Sequence, residues 1–509
     1  VGATSDIAAR IQGEAKPGQV LVSADTLRLV RGLFVTEDLG SQALDGVAAP
    51  AQLYRVIRPT GATTRLEAGA ALTPFVAREQ ELDLLEECWT RAREGQGQIA
   101  LLGGEAGMGK SRLIRVFRNR LAEQPHQWIE CRASKFHTHT AFYPLIEPMS
   151  ETLNVDAEQP VEQQRRQLEA GLTSLGLDPT EATLLSGTLF GIPFEEGDSP
   201  FADAAEGRLQ LMFGALTKWL LAMAESQPLV FVIEDLHWID SSTLEFLSRL
   251  IDRVSESRVL LMPAYRLSFE PPWNLGSNAR RVALNPLTRS QTEAMMTGIA
   301  GGSSLPAAVR NQVVAKTDGV PLFIEEFTQT VLESGVLSKN EEQWEETGPI
   351  PDFSVPTTLQ DSLMARLDRL GAAKNVAQMA SVVGRELSRD VLTAIVTEPQ
   401  TLERDLESLV GAGILHRSSH FGRDTYSFKH ALIQETAYHS LLKSTRRTWH
   451  ARVVRGIEAR VPALAFAEPA RLAWHCEEGD LIEKAVGYCR SAAEQAQRRS
   501  ASAETIRHL

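Results

Sequence analysis

The sequence lacks any apolar run of the roughly 18 residues that a membrane-spanning helix needs. It begins at Val1 without an initiator methionine or a signal-peptide pattern, and it stops at Leu509 inside an Ala-rich helical pattern. Cysteines are scarce and form no Cys-x-x-Cys pair; they are Cys88, Cys131, Cys476 and Cys489. We therefore predict reduced thiols, no membrane segment and a cytoplasmic location, and we expect the chain to be a fragment of a longer protein.

Basic residues are also in deficit. Lys and Arg number 52 against 65 Asp and Glu, for a net charge of −13. This balance argues against a broad nucleic-acid or anionic-membrane surface. Hydrophobic residues make up 43% of the 509 residues, which is typical of globular proteins. At about 150 residues per domain, the length predicts three or four domains.

Short continuous apolar runs mark the middle of the chain. Residues 98–102, 229–233 and 259–262 predict the buried strands of a parallel sheet. The first run is followed by a Gly-rich turn and a predicted helix over 110–121. An α/β domain is therefore expected here.

The flanking regions differ in pattern. Residues 1–57 predict short strands near 20–23, 33–37 and 53–57, and Pro and Gly interrupt a linker-like stretch that follows. From about residue 288 the pattern is helical, apart from two short strands at 413–415 and 425–428 that suggest a wing.

The Gly-rich turn matches Gly-x-x-x-x-Gly-Lys-Ser between a strand and a helix, the context that a phosphate-binding loop requires. Its glycines allow backbone N–H groups to wrap the β-phosphate, Lys110 supplies a cation, and Ser111 offers a hydroxyl to Mg²⁺. The alternative is a chance match in an ordinary turn. The predicted nucleotide contacts are Gly104, Glu105, Ala106, Gly107, Met108, Gly109, Lys110, Ser111 and Arg112.

Two acids follow the second apolar run. Glu234 and Asp235 stand where a Walker B strand delivers one carboxylate to Mg²⁺ and another to the attacking water. The alternative is a surface turn after a buried strand. With the phosphate loop upstream, we predict ATP or ADP and Mg²⁺ as ligands, Ser111 and Glu234 as metal ligands, and Glu234 and Asp235 as catalytic residues.

Residues 234–240, Glu-Asp-Leu-His-Trp-Ile-Asp, resemble a block of bacterial STAND-type ATPases, whose fold is an AAA-like P-loop domain. Other blocks fall in the same order; they are residues 75–79, 131–137, 141–144, 264–266 and 318–323. The resemblance implies that Val76 and Arg78 lie against the adenine, although Ala77 replaces the usual Gly. It also implies that Arg266 reads the γ-phosphate.

His430 belongs to a segment, Phe-Lys-His-Ala over 428–431, that resembles the motif by which STAND winged-helix domains reach the β-phosphate of ADP. We predict a nucleotide contact for His430; a histidine packed in the winged-helix core is the alternative. Helices after residue 464 resemble the start of a tetratricopeptide array, which implies an unidentified protein partner.

Residues 1–57 resemble the C-terminal end of class III adenylate/guanylate cyclase domains, beginning with Val-Gly-Ala-Thr-Ser-Asp-Ile-Ala-Ala-Arg. In that family an Asn and an Arg orient the ribose and stabilise the transition state. Arg10 matches the Arg, whereas Asp6 replaces the Asn. The family's metal-binding aspartates lie upstream of this stretch, so the chain as given cannot cyclise ATP. A cyclase domain would also imply a homodimer.

Together these features predict a multidomain chain in which an α/β P-loop NTPase with a parallel sheet is flanked by a partial α+β cyclase domain and by helical, winged-helix and helical-repeat domains. The predicted divisions are a cyclase remnant at 1–57, a linker at 58–73, the ATPase at 74–285, a helical subdomain at 286–350, a winged helix at 351–460 and helical repeats at 461–509.

The function this order implies is a slow, Mg²⁺-dependent ATPase that acts as a signalling switch and regulates the attached cyclase, an organisation similar to that of soluble adenylyl cyclases. The alternatives are a STAND-type transcription regulator, and a scaffold with a helical-repeat sensor and a degenerate cyclase domain.

Overall fold

The structure is a computed structural model, and it describes fourteen stretches separated by gaps. They are residues 11, 19–23, 26, 34–42, 51–59, 75–155, 159–192, 205–273, 275–333, 337–339, 344–346, 359–396, 399–420 and 423–508. The chain divides into two compact units, one made of residues 1–74 and 370–434 and the other of residues 75–369 and 435–509.

The N-terminal part of the first unit contains three strands: β1 Val20–Ser23, β2 Phe34–Gln42 and β3 Ala51–Pro59. They form an antiparallel sheet in the order β1-β3-β2. The three strands predicted in this region are thus confirmed. Asp6 and Arg10, the predicted cyclase residues, lie outside the described residues.

A five-stranded parallel sheet forms the centre of the second unit, in the order β5-β6-β7-β4-β8. Its strands are β4 Gln98–Gly103, β5 Gln127–Arg132, β6 Leu229–Glu234, β7 Val259–Tyr265 and β8 Ala279–Ala283. Every residue of β4, β6 and β7 is buried, which explains their continuous apolar sequences. The predicted parallel sheet is confirmed.

Helices connect these strands, and those described are α1 Glu79–Arg93, α2 Lys110–Leu121, α3 Tyr143–Thr152, α4 Val161–Ser174, α5 Pro179–Phe190, α6 Ala205–Ser226 and α7 Ser241–Val254. A 3₁₀ turn, Leu236–Trp238, lies between β6 and α7. Alternate strand residues face two separate cores: Phe231 packs in the one that contains α5 to α7, and Val232 in the one that contains α1 and α2. The sheet therefore has a helical layer on both faces.

A helical cluster follows the sheet in the same unit. It contains α8 Arg289–Ile299, α9 Ala307–Thr317, α10 Pro321–Glu333 and α11 Leu359–Asp368, with a short antiparallel pair, β9 Leu337–Lys339 and β10 Trp344–Glu346. Its core is formed by residues such as Met296, Val313 and Phe327. The sequence placed a helical subdomain over this region.

The chain then returns to the first unit with α12 Ala373–Val383, β11 Glu386–Ser388, α13 Arg389–Ile395, α14 Pro399–Gly411, β12 Leu415–His420 and β13 Arg423–Phe428. The strands form an antiparallel sheet in the order β11-β13-β12. The strand predicted at 425–428 falls within β13, whereas the one predicted at 413–415 was placed too early, because β12 begins only at Leu415. The winged-helix assignment of residues 351–460 stays a prediction.

The remaining helices are α15 Ala431–His439, α16 Lys443–Arg460, α17 Pro462–Ala467, α18 Pro469–Glu478, α19 Ile482–Arg498 and α20 Ser502–His508. Helix α16 packs on α18, with His450 Nδ1 and His475 Nδ1 2.9 Å apart, although the sequence placed a domain boundary between them at residue 461. Among the described residues, no helix is both long and apolar enough to cross a membrane.

Candidate nucleotide site

The phosphate loop runs from the end of β4 to the start of α2. Two of its glycines have left-handed backbones, with φ of 82° at Gly107 and 91° at Gly109, a conformation that costs other residues about 1–2 kcal/mol. A Cβ on Gly107 would also lie 3.2 Å from both Leu322 Cβ and Val320 Cγ1. Glycine at position 107 is therefore required by both backbone conformation and space.

Lys110 begins helix α2 and points back over the loop. Its Nζ donates to the carbonyl oxygens of Gly104 at 2.6 Å and Glu105 at 3.1 Å. Burial lowers the pKa of Lys110 and Arg266 adds to this effect, whereas Asp235 opposes it. A bound phosphate would supply a counter-charge to this half-buried ammonium group.

Ser111 and Glu234 meet at the carboxyl edge of the sheet, where the Ser111 hydroxyl donates to Glu234 Oε2. Glu234 ends strand β6 and is only 4% exposed. A hydroxyl and a carboxylate in contact fit Mg²⁺, which prefers hard oxygen ligands and takes few of them from protein. The structure thus brings together the two predicted metal ligands.

The other oxygen of Glu234 is also engaged. Arg132, the last residue of β5, donates from Nη2 to Glu234 Oε1 at 2.7 Å. Glu130 lies on the same edge, with an oxygen 3.7 Å from Arg132. Burial raises the pKa of Glu130, and Glu234 raises it further, while Arg132 opposes the shift. Arg132 therefore lies against two neighbouring carboxylates and offsets part of the repulsion between them. The sequence analysis did not identify it as a site residue.

Asp235 is half-buried and has a left-handed backbone, with φ of 55°. Its carbonyl accepts from the Trp238 N–H at 2.8 Å, which closes the 3₁₀ turn. His237 lies in this turn, and burial lowers the pKa of His237 to about 4, so that the ring is neutral near pH 7. The turn changes the chain direction sharply after β6, and Asp235 is more exposed to solvent than Glu234.

Arg266 directly follows β7, which lies between the strand of the phosphate loop and the strand of the two acids. Its Nη2 donates to Glu435 Oε1 of α15 at 3.1 Å, and both side chains are about one-quarter exposed. Lys135 also lies near Glu435, since the carboxylate opposes the burial that lowers the pKa of Lys135. The predicted γ-phosphate sensor therefore has an acidic partner in this structure.

The predicted adenine contacts are engaged elsewhere in the same unit. Arg78 is buried and donates to Glu81 Oε1 at 2.9 Å and to the Asn285 carbonyl at 2.6 Å. Val76 and Ala77 pack against the core of α8 to α10. The contacts of Arg78 hold the segment to the chain after β8; adenine binding by Val76 and Arg78 stays a prediction.

The first turn of α10 also contacts the phosphate loop. Leu322 N–H donates to the Gly107 carbonyl at 3.2 Å. Arg112, in the first turn of α2, lies close enough to Glu325 of α10 for that carboxylate to oppose the burial that lowers the pKa of Arg112. The helical cluster thus touches both the loop and the helix that would hold a phosphate.

His430 precedes helix α15 and belongs to the first unit, while the phosphate loop belongs to the second. Its contact with a nucleotide stays a prediction.

The site residues that sequence reasoning missed are Arg132 and Glu435. Arg132 could have been found only by placing β5 beside β6, and Glu435 carries no local signal at all.

Comparison with known proteins agrees with this geometry. Residues 74–262 match the family described as the AAA ATPase domain. Over 523 aligned positions the chain is 29% identical to an uncharacterized protein of Rhizobium meliloti (strain 1021), covering 100% of this chain and 49% of that protein. The chain therefore spans about half the length of this curated relative.

Two solved structures are similar to the chain at low identity. One is a STAND protein with a tetratricopeptide repeat sensor from Pyrococcus horikoshii, with 13% identity, 86% of this chain and 58% of that chain covered, and a TM-score of 0.44. The other is the Aeropyrum pernix ORC1 protein in complex with DNA, with 16% identity, 73% and 94% covered, and a TM-score of 0.33. The family match is the stronger finding, and it assigns an AAA-type ATPase domain to residues 74–262 of this chain.

Proposed function

We propose that the chain is the nucleotide-dependent switch of a signalling protein and that it hydrolyses ATP slowly with Mg²⁺. One observation carries this proposal: the Ser111 hydroxyl contacts the Glu234 carboxylate, and Ser111 follows the half-buried Lys110 directly in the chain. Lys110 and Ser111 begin helix α2 and Glu234 ends strand β6, so groups from two elements meet at the carboxyl edge of the sheet, where ligands of open α/β folds bind. Their convergence supports a metal–triphosphate site better than it supports an ordinary turn.

Each side chain has a distinct task in this proposal. Lys110 would leave the carbonyls of Gly104 and Glu105 to contact the β- and γ-phosphates. Ser111 and Glu234 would hold Mg²⁺, which when bound neutralises charge on the phosphates. Asp235, turned away from the sheet by its left-handed backbone, would orient the attacking water and accept its proton.

The switch would act through Arg266. In the structure its guanidinium pairs with Glu435 on α15. A γ-phosphate carries more negative charge than a carboxylate and would compete for the same guanidinium, whereas ADP offers no such competitor. ATP would therefore weaken the hold of Arg266 on α15, the helix that follows His430 in the chain. Hydrolysis would restore it.

The neighbouring regions would receive this signal. Three helices and three strands over 373–428 follow one another in an order that supports a winged-helix assignment. The antiparallel sheet of β1 to β3 and the sequence of residues 1–57 support a cyclase remnant, so we propose an attached cyclase as the regulated output. The helices α16 to α20 would present a surface for a protein partner.

ATP turnover by the purified chain tests the proposed function. The wild type should hydrolyse ATP only with Mg²⁺. Lys110→Ala should lose most ATP affinity, because it removes the cation that contacts the phosphates. Arg120→Ala, which removes an exposed ion pair with Glu86, is the matched control. Equal ATP affinity in the wild type and Lys110→Ala would reject the phosphate-loop assignment.

A further inference from the structure

A buried arginine in the connection between helices α19 and α20 contacts the ATPase domain. Arg499 is 5% exposed and donates to three backbone carbonyls, those of Ala141 at 2.9 Å, Leu189 at 3.1 Å and Thr188 at 3.2 Å. Burial lowers the pKa of Arg499 to about 10, although the nearby Asp240 carboxylate opposes this shift. A buried guanidinium with this many ordered partners is unusual, because its desolvation must be offset at every donor.

A second charged residue of the same helices reaches helix α7. Glu504 is 1% exposed and accepts from the Ser242 N–H and from the Ser242 hydroxyl, both at 3.0 Å. Ser242 lies in the first turn of α7, where N–H groups have no partner within the helix and a negative charge is stabilising. A carboxylate from residue 504 therefore caps a helix that begins at residue 241.

The two contacts meet at Asp240, the N-cap of α7. Its Oδ1 accepts from the N–H groups of Thr243 at 2.8 Å and Phe142 at 3.0 Å. Phe142 follows Ala141, whose carbonyl binds Arg499. The Asp240 carboxylate thus joins α7 to the segment after β5. Arg499 binds this segment at Ala141, and Glu504 binds α7 at Ser242.

Only five residues, 236–240, connect Asp235 to α7. This connection is short and internally bonded, with Ile239 N–H donating to the Leu236 carbonyl at 3.1 Å. Any shift of the start of α7 must therefore move the backbone of Asp235. The segment after β5 likewise follows directly on Arg132, the partner of Glu234. The contacts of Arg499 and Glu504 therefore constrain two chain segments, one that follows Asp235 and one that follows Arg132, the partner of Glu234.

We propose that Arg499 and Glu504 are positioning residues for ATP hydrolysis: docked α19 and α20 fix the start of α7 and thereby the orientation of Asp235. The inference rests on the proposed ATPase function. ATP binding depends on the phosphate loop and not on this contact. Undocking of the helices lowers the rate of the chemical step and leaves nucleotide affinity unchanged.

The test measures kcat, KM and the ATP dissociation constant in matched variants. Glu504→Gln keeps the shape of the side chain but replaces one accepting oxygen with an NH₂ group, and Arg499→Ala removes all three donors. The controls are Arg498→Ala and Glu494→Gln, which alter exposed residues of helix α19. Because hydrogen bonds to a charged group are stronger than those to a neutral one, we expect kcat to fall roughly tenfold in Glu504→Gln, with KM and ATP affinity unchanged.

Two further variants separate positioning from general loss of structure. Ser242→Ala removes one of the two donors to Glu504, so combining it with Glu504→Gln should cost less than the sum of the single effects. Arg499→Lys retains the charge with fewer donors and should recover part of the kcat lost in Arg499→Ala.

The outcomes are distinct. A fall in kcat alone in Glu504→Gln, with normal controls, supports the proposal. An unchanged kcat in both Glu504→Gln and Arg499→Ala overturns it, as does a parallel loss of ATP affinity in Glu504→Gln. If the wild type shows no turnover above Lys110→Ala, the proposed ATPase function itself fails, which is a different result from normal wild-type turnover with unaffected variants.

Discussion

Arg132 and Glu234 lie 102 residues apart in the sequence and pair at 2.7 Å between Nη2 and Oε1. The pair places a fixed positive charge beside the carboxylate that we assign to Mg²⁺. Because a cation next to a metal ligand opposes binding of the metal, Arg132 should set how much Mg²⁺ the site requires.

Arg132→Ala is therefore expected to lower the Mg²⁺ concentration that gives half-maximal ATP binding by about fivefold, since roughly 1 kcal/mol of repulsion is removed. It should also lower the thermal unfolding midpoint, because Glu130 and Glu234 then repel each other. A Mg²⁺ titration of fluorescent ATP binding checks this, with Arg120→Ala as the control. A higher Mg²⁺ requirement in Arg132→Ala would contradict the assigned role.

Ala77 has a left-handed backbone, with φ of 62°, at the position where the sequence resemblance has Gly. Ala77→Gly should therefore raise the free energy of unfolding of the ATPase domain by about 0.5–1 kcal/mol, because relief of strain exceeds the added entropy of the unfolded chain. Urea unfolding followed by tryptophan fluorescence measures this change.

The matched control is Ala294→Gly, at an exposed position in the interior of helix α8. It should have the opposite sign, because Gly in a helix interior costs roughly 0.5–1 kcal/mol relative to Ala. Destabilisation by both substitutions would show that Ala77 is not strained.

Arg266→Ala and Glu435→Gln should change nucleotide preference in opposite directions. Loss of Arg266 removes the proposed contact with the γ-phosphate, so the preference for ATP over ADP should fall. Loss of the Glu435 charge frees Arg266 from its partner at 3.1 Å, so the preference should rise by about three- to tenfold for a partly buried pair. The ratio of ATP and ADP dissociation constants is the measurement. Shifts of the same sign would exclude the exchange of partners.

Buried histidines of the C-terminal helices and the segment after β5 predict acid sensitivity. Burial lowers the pKa of His137 and of His450 to about 4 and holds the pKa of His475 well below 6.5. Each pKa is lower in the folded than in the unfolded state. The stabilisation from the neutral rings is therefore complete above pH 6.5 and is lost as the pH falls towards 4.

At pH 5 each histidine with a folded pKa near 4 should cost about 2 kcal/mol of stability. Thermal unfolding midpoints between pH 7.5 and 5 test this. His137→Phe retains a ring parallel to Tyr143, whose centroid lies 3.5 Å away, and should reduce the pH dependence. An equally steep decline in His137→Phe would remove His137 from this account.

Local signals in the sequence were sufficient for the centre of the ATPase domain. The run at 229–233 and the bounds of α2 at 110 and 121 were predicted within a residue of the structure. A buried strand and a phosphate loop each have a pattern of consecutive residues, so both can be identified from local sequence. The strand at 425–428 was recognisable for the same reason, since it falls within β13.

Contacts between distant residues were not predictable in this way. The partners of Glu234 and Arg266 depend on the order of strands and on the packing of α15. Arg499 and Glu504 look like ordinary charged positions of amphipathic helices, and nothing in the local pattern indicates that both are buried. Arginine and glutamate are almost never fully buried, so composition alone would have placed them on the surface.

The central claim is that Glu234 holds Mg²⁺ and Asp235 orients the attacking water, and substitution of the two acids tests it most directly. Asn tolerates the left-handed backbone at position 235, so Asp235→Asn should change the charge without disturbing the turn.

The measurement is Mg²⁺-dependent ATP binding alongside single-turnover hydrolysis in Glu234→Gln and Asp235→Asn. We predict that Glu234→Gln loses the tightening of ATP binding by Mg²⁺, whereas Asp235→Asn binds Mg²⁺-ATP normally and loses hydrolysis by about a hundredfold or more. Hydrolysis at the wild-type rate in both variants would contradict the account.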